Sequence, residues 1–229
     1  MTEFLLALAV FLAAHVVPAR TGLRPWAIGR FGRGPYMVAY SVLSLALVAW
    51  LVVAAARAPY VALWPQAAWQ AAVALAIMPF ALVLLAIGLS QPNPLSISLM
   101  RARKTGPLSG GVRIARHPAL WGFGLWALAH IPPNGDLVSV ILFGGLGLFA
   151  FAGMAALDRR RRRALGDREW ADMARDTSIA PFGAIIAGRA RLPLDAATLI
   201  ATAVALVVYA VLLLDGHARL FGADPLARL

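Results

Sequence analysis

The chain is 229 residues long, carries a formal net charge of +11 and contains no cysteine; 61% of its residues are hydrophobic and 14% charged. Soluble domains average about 25% charged residues, so a water-soluble core is excluded. The missing thiols exclude disulfides, thiolate metal centres, Cys-ligated haem and c-type haem attachment.

Taken in chain order, six runs approach the roughly 20 apolar residues that a membrane-crossing helix needs: 3–18, 37–56, 67–89, 118–131, 137–157 and 196–214. The first holds Glu3 in place of a basic leader and ends in His15, Pro18 and Arg20, where a cleavage site wants small residues. It reads as a retained helix. Pro79, inside the third run, predicts a kink whose freed backbone groups a neighbouring helix must satisfy. The fourth run is short, about 21 Å of helix against a hydrocarbon core of about 30 Å. Either residues 110–117 enter the membrane under cover of other helices, or this segment lines a site. Gly144, Gly145 and Gly147 in the fifth run predict close helix contact, and the sixth is alanine-rich in the same spirit.

Eighteen of the 21 basic residues fall in three stretches. Arg20, Arg24, Arg30 and Arg33 form the first, Arg101, Arg103, Lys104, Arg113 and Arg116 the second, and residues 159–163 with Arg168, Arg175, Arg189 and Arg191 the third. The intervening stretches hold only Arg57, then none, then Arg219 and Arg228. Positive charge marks the cytoplasmic side, so six crossings put both termini in the periplasm. The expected architecture is an all-α, polytopic membrane helix bundle with six transmembrane helices, a single domain over 1–229, in a bacterial inner membrane. Lying beside apolar runs, these arginines fit anionic lipid headgroups rather than nucleic acid. Residues 158–163 read as a membrane anchor rather than a site.

Four histidines are present: His15, His117, His130 and His217. The first three lie in or beside apolar runs, where ionisable side chains are costly and point to function. A neutral imidazole is a general metal and haem ligand, and helices of a bundle are an ordinary way to project a pair of them. His217 reads as solvent-exposed in the polar tail. Residues 110–117 form the densest local signal: Gly110 and Gly111 permit close approach, Pro118 suits a helix start, and Arg113, Arg116 and His117 stand beside helix-start amides. Such a place favours an anionic group, for example a haem propionate, a phosphate or a carboxylate; the competing reading is a positive flank of a membrane span. His130 is followed by Pro132, Pro133, Asn134, Gly135 and Asp136, which predict a tight re-entry with Asn134 and Asp136 beside the ring.

Five segments resemble the NnrU family of bacterial membrane proteins, named for an association with nitrite and nitric oxide reduction, and its relatives the 15-cis-zeta-carotene isomerases. They are His15-Val-Val-Pro-Ala-Arg20 with Arg24, Ser90-Gln-Pro-Asn-Pro-Leu95, Ile114-Ala-Arg-His-Pro-Ala-Leu-Trp-Gly122, Leu125-Trp-Ala-Leu-Ala-His130 with Asn134-Gly-Asp136, and Thr177-Ser-Ile-Ala-Pro-Phe182. The resemblance implies a b-type haem held by two histidines at the positions of His15 and His130. It further implies a role in redox or nitrogen-oxide metabolism or in haem-dependent isomerisation, with a small hydrophobic or gaseous ligand. Ala127 stands where the isomerase branch has a cysteine, so no thiol is present for ligand exchange. His130 lies 13 residues beyond His117, about 20 Å along a helix, and by topology alone His15 pairs more naturally with His117. His117 is therefore a competing ligand.

A second resemblance cuts across the first. Arg116-His-Pro118 with Gly122, and the later Leu165-Gly-Asp-Arg-Glu-Trp170, are similar to the Arg-His-Pro signature of isoprenylcysteine carboxyl and phospholipid methyltransferases. That similarity implies S-adenosylmethionine-dependent methyl transfer with Arg116 and His117 at the cofactor. The chain departs from it at Leu120, where an aromatic is expected, and in the acidic pair, approximated only by Asp167 and Glu169. A non-catalytic assembly factor is the third reading.

Overall fold

The structure is a computed structural model that describes residues 1–100, 108–227 and 229. Arg101, Arg103, Lys104 and Arg228 lie outside the described residues. The helices are α1 (Thr2–Arg20), α2 (Leu23–Phe31), α3 (Arg33–Ala56), α4 (Ala68–Ser90), α5 (Pro118–Asn134), α6 (Leu137–Leu165), α7 (Asp167–Ala174), α8 (Gly183–Ile186), α9 (Ala196–Val211) and α10 (His217–Phe221). A single 3-10 turn, Gly110–Arg113, precedes α5, and a π-helical turn, Leu212–Gly216, joins α9 to α10.

Among the described residues, five helices are long and apolar enough to cross a membrane: α1, α3, α4, α6 and the continuous stretch Ala196–Phe221. Their outward side chains fit that reading, since Val38, Leu45, Phe80, Leu148 and Leu214 are largely exposed. The segment expected to be the fourth span is a helix, α5, but its 17 residues reach only about 25 Å and it is not among those five. It also runs further than expected. The di-proline was read as forcing re-entry at 131, whereas the helix continues through Pro132 and Pro133 and ends at Gly135, whose φ of 68° needs no Cβ penalty. The last carbonyls are satisfied from outside the helix: Trp64 Nε1 donates to the Pro132 carbonyl at 3.0 Å and Gln66 Nε2 to that of Pro133 at 3.2 Å.

The fold divides into two compact units. Met1–Leu63 with Asp136–Leu142 form the first, built on a core of Phe4, Ala7, Leu8, Leu51, Ala54 and Val138. There Asp136 starts α6: its Oδ1 accepts from the Ser139 amide at 2.9 Å, a capping role.

Trp64–Gly135 with Phe143–Leu229 form the second unit, centred on Leu84, Ile87, Ile114 and Ala201. In it α4 and α5 approach closely: a Cβ on Gly88 would stand 2.2 Å from the Ala119 backbone nitrogen. Of the α6 glycines expected to pack closely, Gly147 does, a Cβ there standing 3.5 Å from Leu128 and 3.7 Å from Ala127 of α5, whereas a Cβ on Gly144 would meet nothing within 4 Å.

Pro79 lies inside α4 and has no N–H for the carbonyl of Leu75, four residues earlier. Tyr209 of α9 fills the gap, its hydroxyl donating to the Leu75 oxygen at 2.9 Å. Tyr209→Phe removes one hydrogen bond and leaves that carbonyl without its donor, so it is expected to lower stability by about 1–3 kcal/mol. Thermal unfolding of the detergent-purified variant, followed by circular dichroism, measures this.

Candidate functional site

Chemistry-bearing side chains gather at two places in the second unit and one in the first. At the start of α5, His117 is fully buried and occupies the cap position, with Pro118 at the first helical position, where no amide needs a partner. Both ring nitrogens are engaged. Nε2 is 2.9 Å from Asp158 Oδ1, and Nδ1 is 2.9 Å from Ser96 Oγ. The other Asp158 oxygen accepts from Arg116 Nη1 at 2.6 Å. Arg116 Nε donates to Thr177 Oγ1 at 2.9 Å, and the guanidinium lies 5.1 Å from the centroid of Trp170.

The backbone is locked around this cluster. Arg116 N donates to the Ser178 carbonyl at 2.8 Å, and Asn93 Nδ2 donates to the Arg116 carbonyl at 3.0 Å. Asn93 Oδ1 accepts from the amides of Leu95 and Ser96, turning the loop so that the Ser96 hydroxyl meets His117. Thus three of the segments quoted above, 90–95, 114–122 and 177–182, meet at one point, together with Asp158 of α6. Serine, histidine and aspartate stand in series here, yet with Ser96 only 6% and His117 0% exposed, no substrate carbonyl has an approach to the hydroxyl. The geometry is that of a buried polar clamp.

Asp158 was missed in the sequence because it opens a run of five arginines. The readable signal was that one acid, at the end of a long apolar helix, has to neutralise whichever arginine is buried. Arg113 ends the 3-10 turn, and its Nε is buried without a hydrogen-bond partner among the described residues. Beside it the Gly111 amide donates to Gln91 Oε1 at 2.9 Å, and Gln91 Nε2 donates to Thr198 Oγ1 at 3.0 Å.

His130 lies near the other end of α5. Its Nδ1 donates to the carbonyl of Trp126, one turn earlier, at 2.7 Å; its ring packs against Trp126 and Phe143, with centroids 5.2 and 5.1 Å away. Asn134 reaches the backbone carbonyl of His130 rather than the ring. His217, read as a solvent-exposed tail residue, is half-buried instead. Its ring centroid is 6.4 Å from that of His130, the planes are 24° apart, and its Nδ1 donates to the Ala223 carbonyl at 2.7 Å.

In the first unit, His15 on α1 repeats the arrangement of His130. Its Nδ1 donates to the Phe11 carbonyl, again one turn earlier, at 2.8 Å, and the ring packs against Phe11 and Tyr40. A histidine whose Nδ1 proton is held by a carbonyl presents Nε2 as its lone-pair nitrogen, the tautomer that ligates metals. Among the described residues no cluster of three or more His, Cys, Asp or Glu is placed to hold a metal ion.

The whole set of segments has a counterpart in known sequences. Residues 3–225 match the profile of a family described as "NnrU protein". The chain belongs to the NnrU family. Among curated NnrU relatives, the chloroplastic 15-cis-zeta-carotene isomerase of Zea mays is 38% identical over 87 residues, which cover 38% of this chain and 24% of that protein. The Arabidopsis thaliana protein of the same name is 36% identical over 87 residues, covering 38% and 23%. The matched segment thus spans about a quarter of the length of these relatives. No solved structure matches this NnrU chain.

Proposed function

We propose that this NnrU-family protein is a multi-pass protein of a bacterial inner membrane that binds a b-type haem, with His130 as an iron ligand, and acts as a haem-dependent isomerase of an apolar conjugated substrate. The observation that carries this reading is the His130 ring. Its tautomer is held by the Trp126 carbonyl, its surroundings are aromatic, and the segment around it carries the family resemblance. This donor chemistry fits haem: one neutral imidazole needs only an open Nε2, because a porphyrin brings four nitrogens of its own. When bound, haem would supply a redox-active iron. The chain's own residues orient the ring and exclude water. His15, whose Nδ1 likewise donates to a carbonyl one turn earlier, is the position that the resemblance supplies for a second ligand.

Counting α5 as a sixth crossing places both termini in the periplasm and the Arg116–Asp158 clamp at the cytoplasmic end. Methyl transfer is the less supported reading, because Arg116 and His117 would have to face a cofactor, whereas here they hold Asp158, Thr177 and Ser96. Nitrogen-oxide chemistry at the same iron is the alternative within the haem reading.

The test is stoichiometry. The full chain, purified in detergent and supplied with haem, should retain about one haem per polypeptide after gel filtration, whereas His130→Ala should retain under a tenth as much or change its spin state. Wild-type protein that stays colourless while binding S-adenosylmethionine would overturn the proposal in favour of the transferase.

A further inference from the structure

The first basic stretch is left without a task by everything above. In the structure it becomes α2 and the two breaks that flank it. Thr21 ends α1: its hydroxyl donates to the Val17 carbonyl at 2.8 Å and accepts from the Leu23 amide at 3.3 Å, so the chain passes from one helix straight into the next. Gly32, at φ 86°, makes an equally abrupt break before α3. α1 and α3 are both long and apolar enough to cross a membrane, whereas the nine residues of α2 reach only about 13 Å, under half of a hydrocarbon core. A short helix tied so closely to the ends of two spanning ones has to lie at the bilayer surface.

The side chains of α2 suit that layer. Only Ala27 is buried, although the helix lies against both α1 and α3. Leu23, Trp26 and Phe31 are 46%, 61% and 59% exposed, and the two aromatic rings meet edge to face with centroids 6.0 Å apart. The Arg30 guanidinium lies over Phe31, 5.7 Å from its centroid. Water is a poor medium for the apolar three and hydrocarbon a poor one for the arginine, while the headgroup layer accommodates both. The charge then selects among headgroups. Arg20, Arg24, Arg30 and Arg33 surround this helix, and no Asp or Glu occurs between Glu3 and Asp136. Glu3 stands at the opposite end of α1, about 25 Å along it, where it accepts from Trp50. Among the described residues none of the four guanidiniums makes an ion pair or a side-chain hydrogen bond. A protein partner would have to bring carboxylates and an apolar groove to the membrane surface together, whereas an anionic leaflet presents phosphates and acyl chains there already.

We propose that α2 is a binding element for anionic phospholipid, with its arginines on headgroup phosphates and Leu23, Trp26 and Phe31 seated among the upper acyl carbons, and that it selects anionic over zwitterionic lipid. The proposal does not rest on haem: a colourless protein would leave it standing.

The experiment is tryptophan quenching of the full chain in vesicles of phosphatidylcholine and phosphatidylglycerol in equal parts, with one lipid or the other brominated on its acyl chain. Bromine quenches at contact, so the difference between wild type and Trp26→Phe reads the lipid beside Trp26. Brominated phosphatidylglycerol should be favoured there about fivefold over brominated phosphatidylcholine, the advantage of one arginine at an anionic surface. Arg24→Gln combined with Arg30→Gln should bring the two lipids level, while Arg24→Lys combined with Arg30→Lys, which keeps the charge, should hold the preference. If the glutamine pair fails to fold, Arg30→Gln alone should still move the preference toward parity. A Trp26 component that neither lipid quenches would overturn the proposal, because the face would then be covered by protein, a second copy of this chain included. Equal quenching by both lipids in wild type, unaltered in the glutamine variants, would overturn it as well and leave α2 an apolar foot without headgroup selectivity.

Discussion

Asp158→Ala is expected to destabilise the protein by about 3–5 kcal/mol, the cost of leaving a buried charge without its partner. The carboxylate accepts from Arg116 and His117 at once, with the arginine and aspartate side chains only 13% and 14% exposed. Removing it strands the guanidinium against Trp170 and Thr177 and leaves one nitrogen of a fully buried imidazole unsatisfied. The damage should be specific to the pair. Replacing Asp158 and Arg116 together with Leu and Met should cost less than the sum of the single changes, by about 0.5–3 kcal/mol of coupling. A double-mutant cycle on thermal or denaturant unfolding in detergent measures this, and additive effects would mean that the clamp is not a unit.

Gly88→Leu should disrupt assembly of the second unit. Even the Cβ of alanine at this position would stand 2.2 Å from the Ala119 nitrogen and 2.7 Å from its Cα, so the clash is with backbone that has no rotamer to move. Overpacking of a tight contact costs about 1–3 kcal/mol, and more where the obstacle is rigid. Gly144→Leu is the internal control, because its Cβ would meet nothing within 4 Å. Gel filtration in detergent should give a monodisperse peak for the Gly144 variant and aggregate or loss of yield for Gly88→Leu. Equal behaviour of the two would contradict the α4–α5 packing described here.

The contrast between these glycines shows where the sequence was legible. The long apolar runs and the arginine clustering were enough to expect an all-helical membrane protein, since both depend on composition over tens of residues. The fault at Pro79 was legible too, though not that Tyr209, 130 positions later, would supply the donor. Contacts between distant residues were hidden for the same reason. Nothing local marks Gly88 as the tight approach rather than Gly144, or Asp158 as a partner of His117 rather than the head of an arginine anchor. His217 looked like tail because one wide turn cannot be read from Leu212-Leu-Leu-Asp-Gly216. The di-proline misled in the opposite direction: its penalty is local, while the side chains of Trp64 and Gln66 that support the last carbonyls of α5 come from another segment.

The central claim is that an imidazole near the end of α5 ligates haem iron. The reduced-minus-oxidised absorption spectrum of the purified, haem-supplied protein tests it most directly, read beside the same spectrum of His130→Ala. A Soret band with sharp reduced α and β bands in the wild type, lost or broadened to a five-coordinate form in the variant, is the predicted result. Identical sharp bands in both proteins would contradict it.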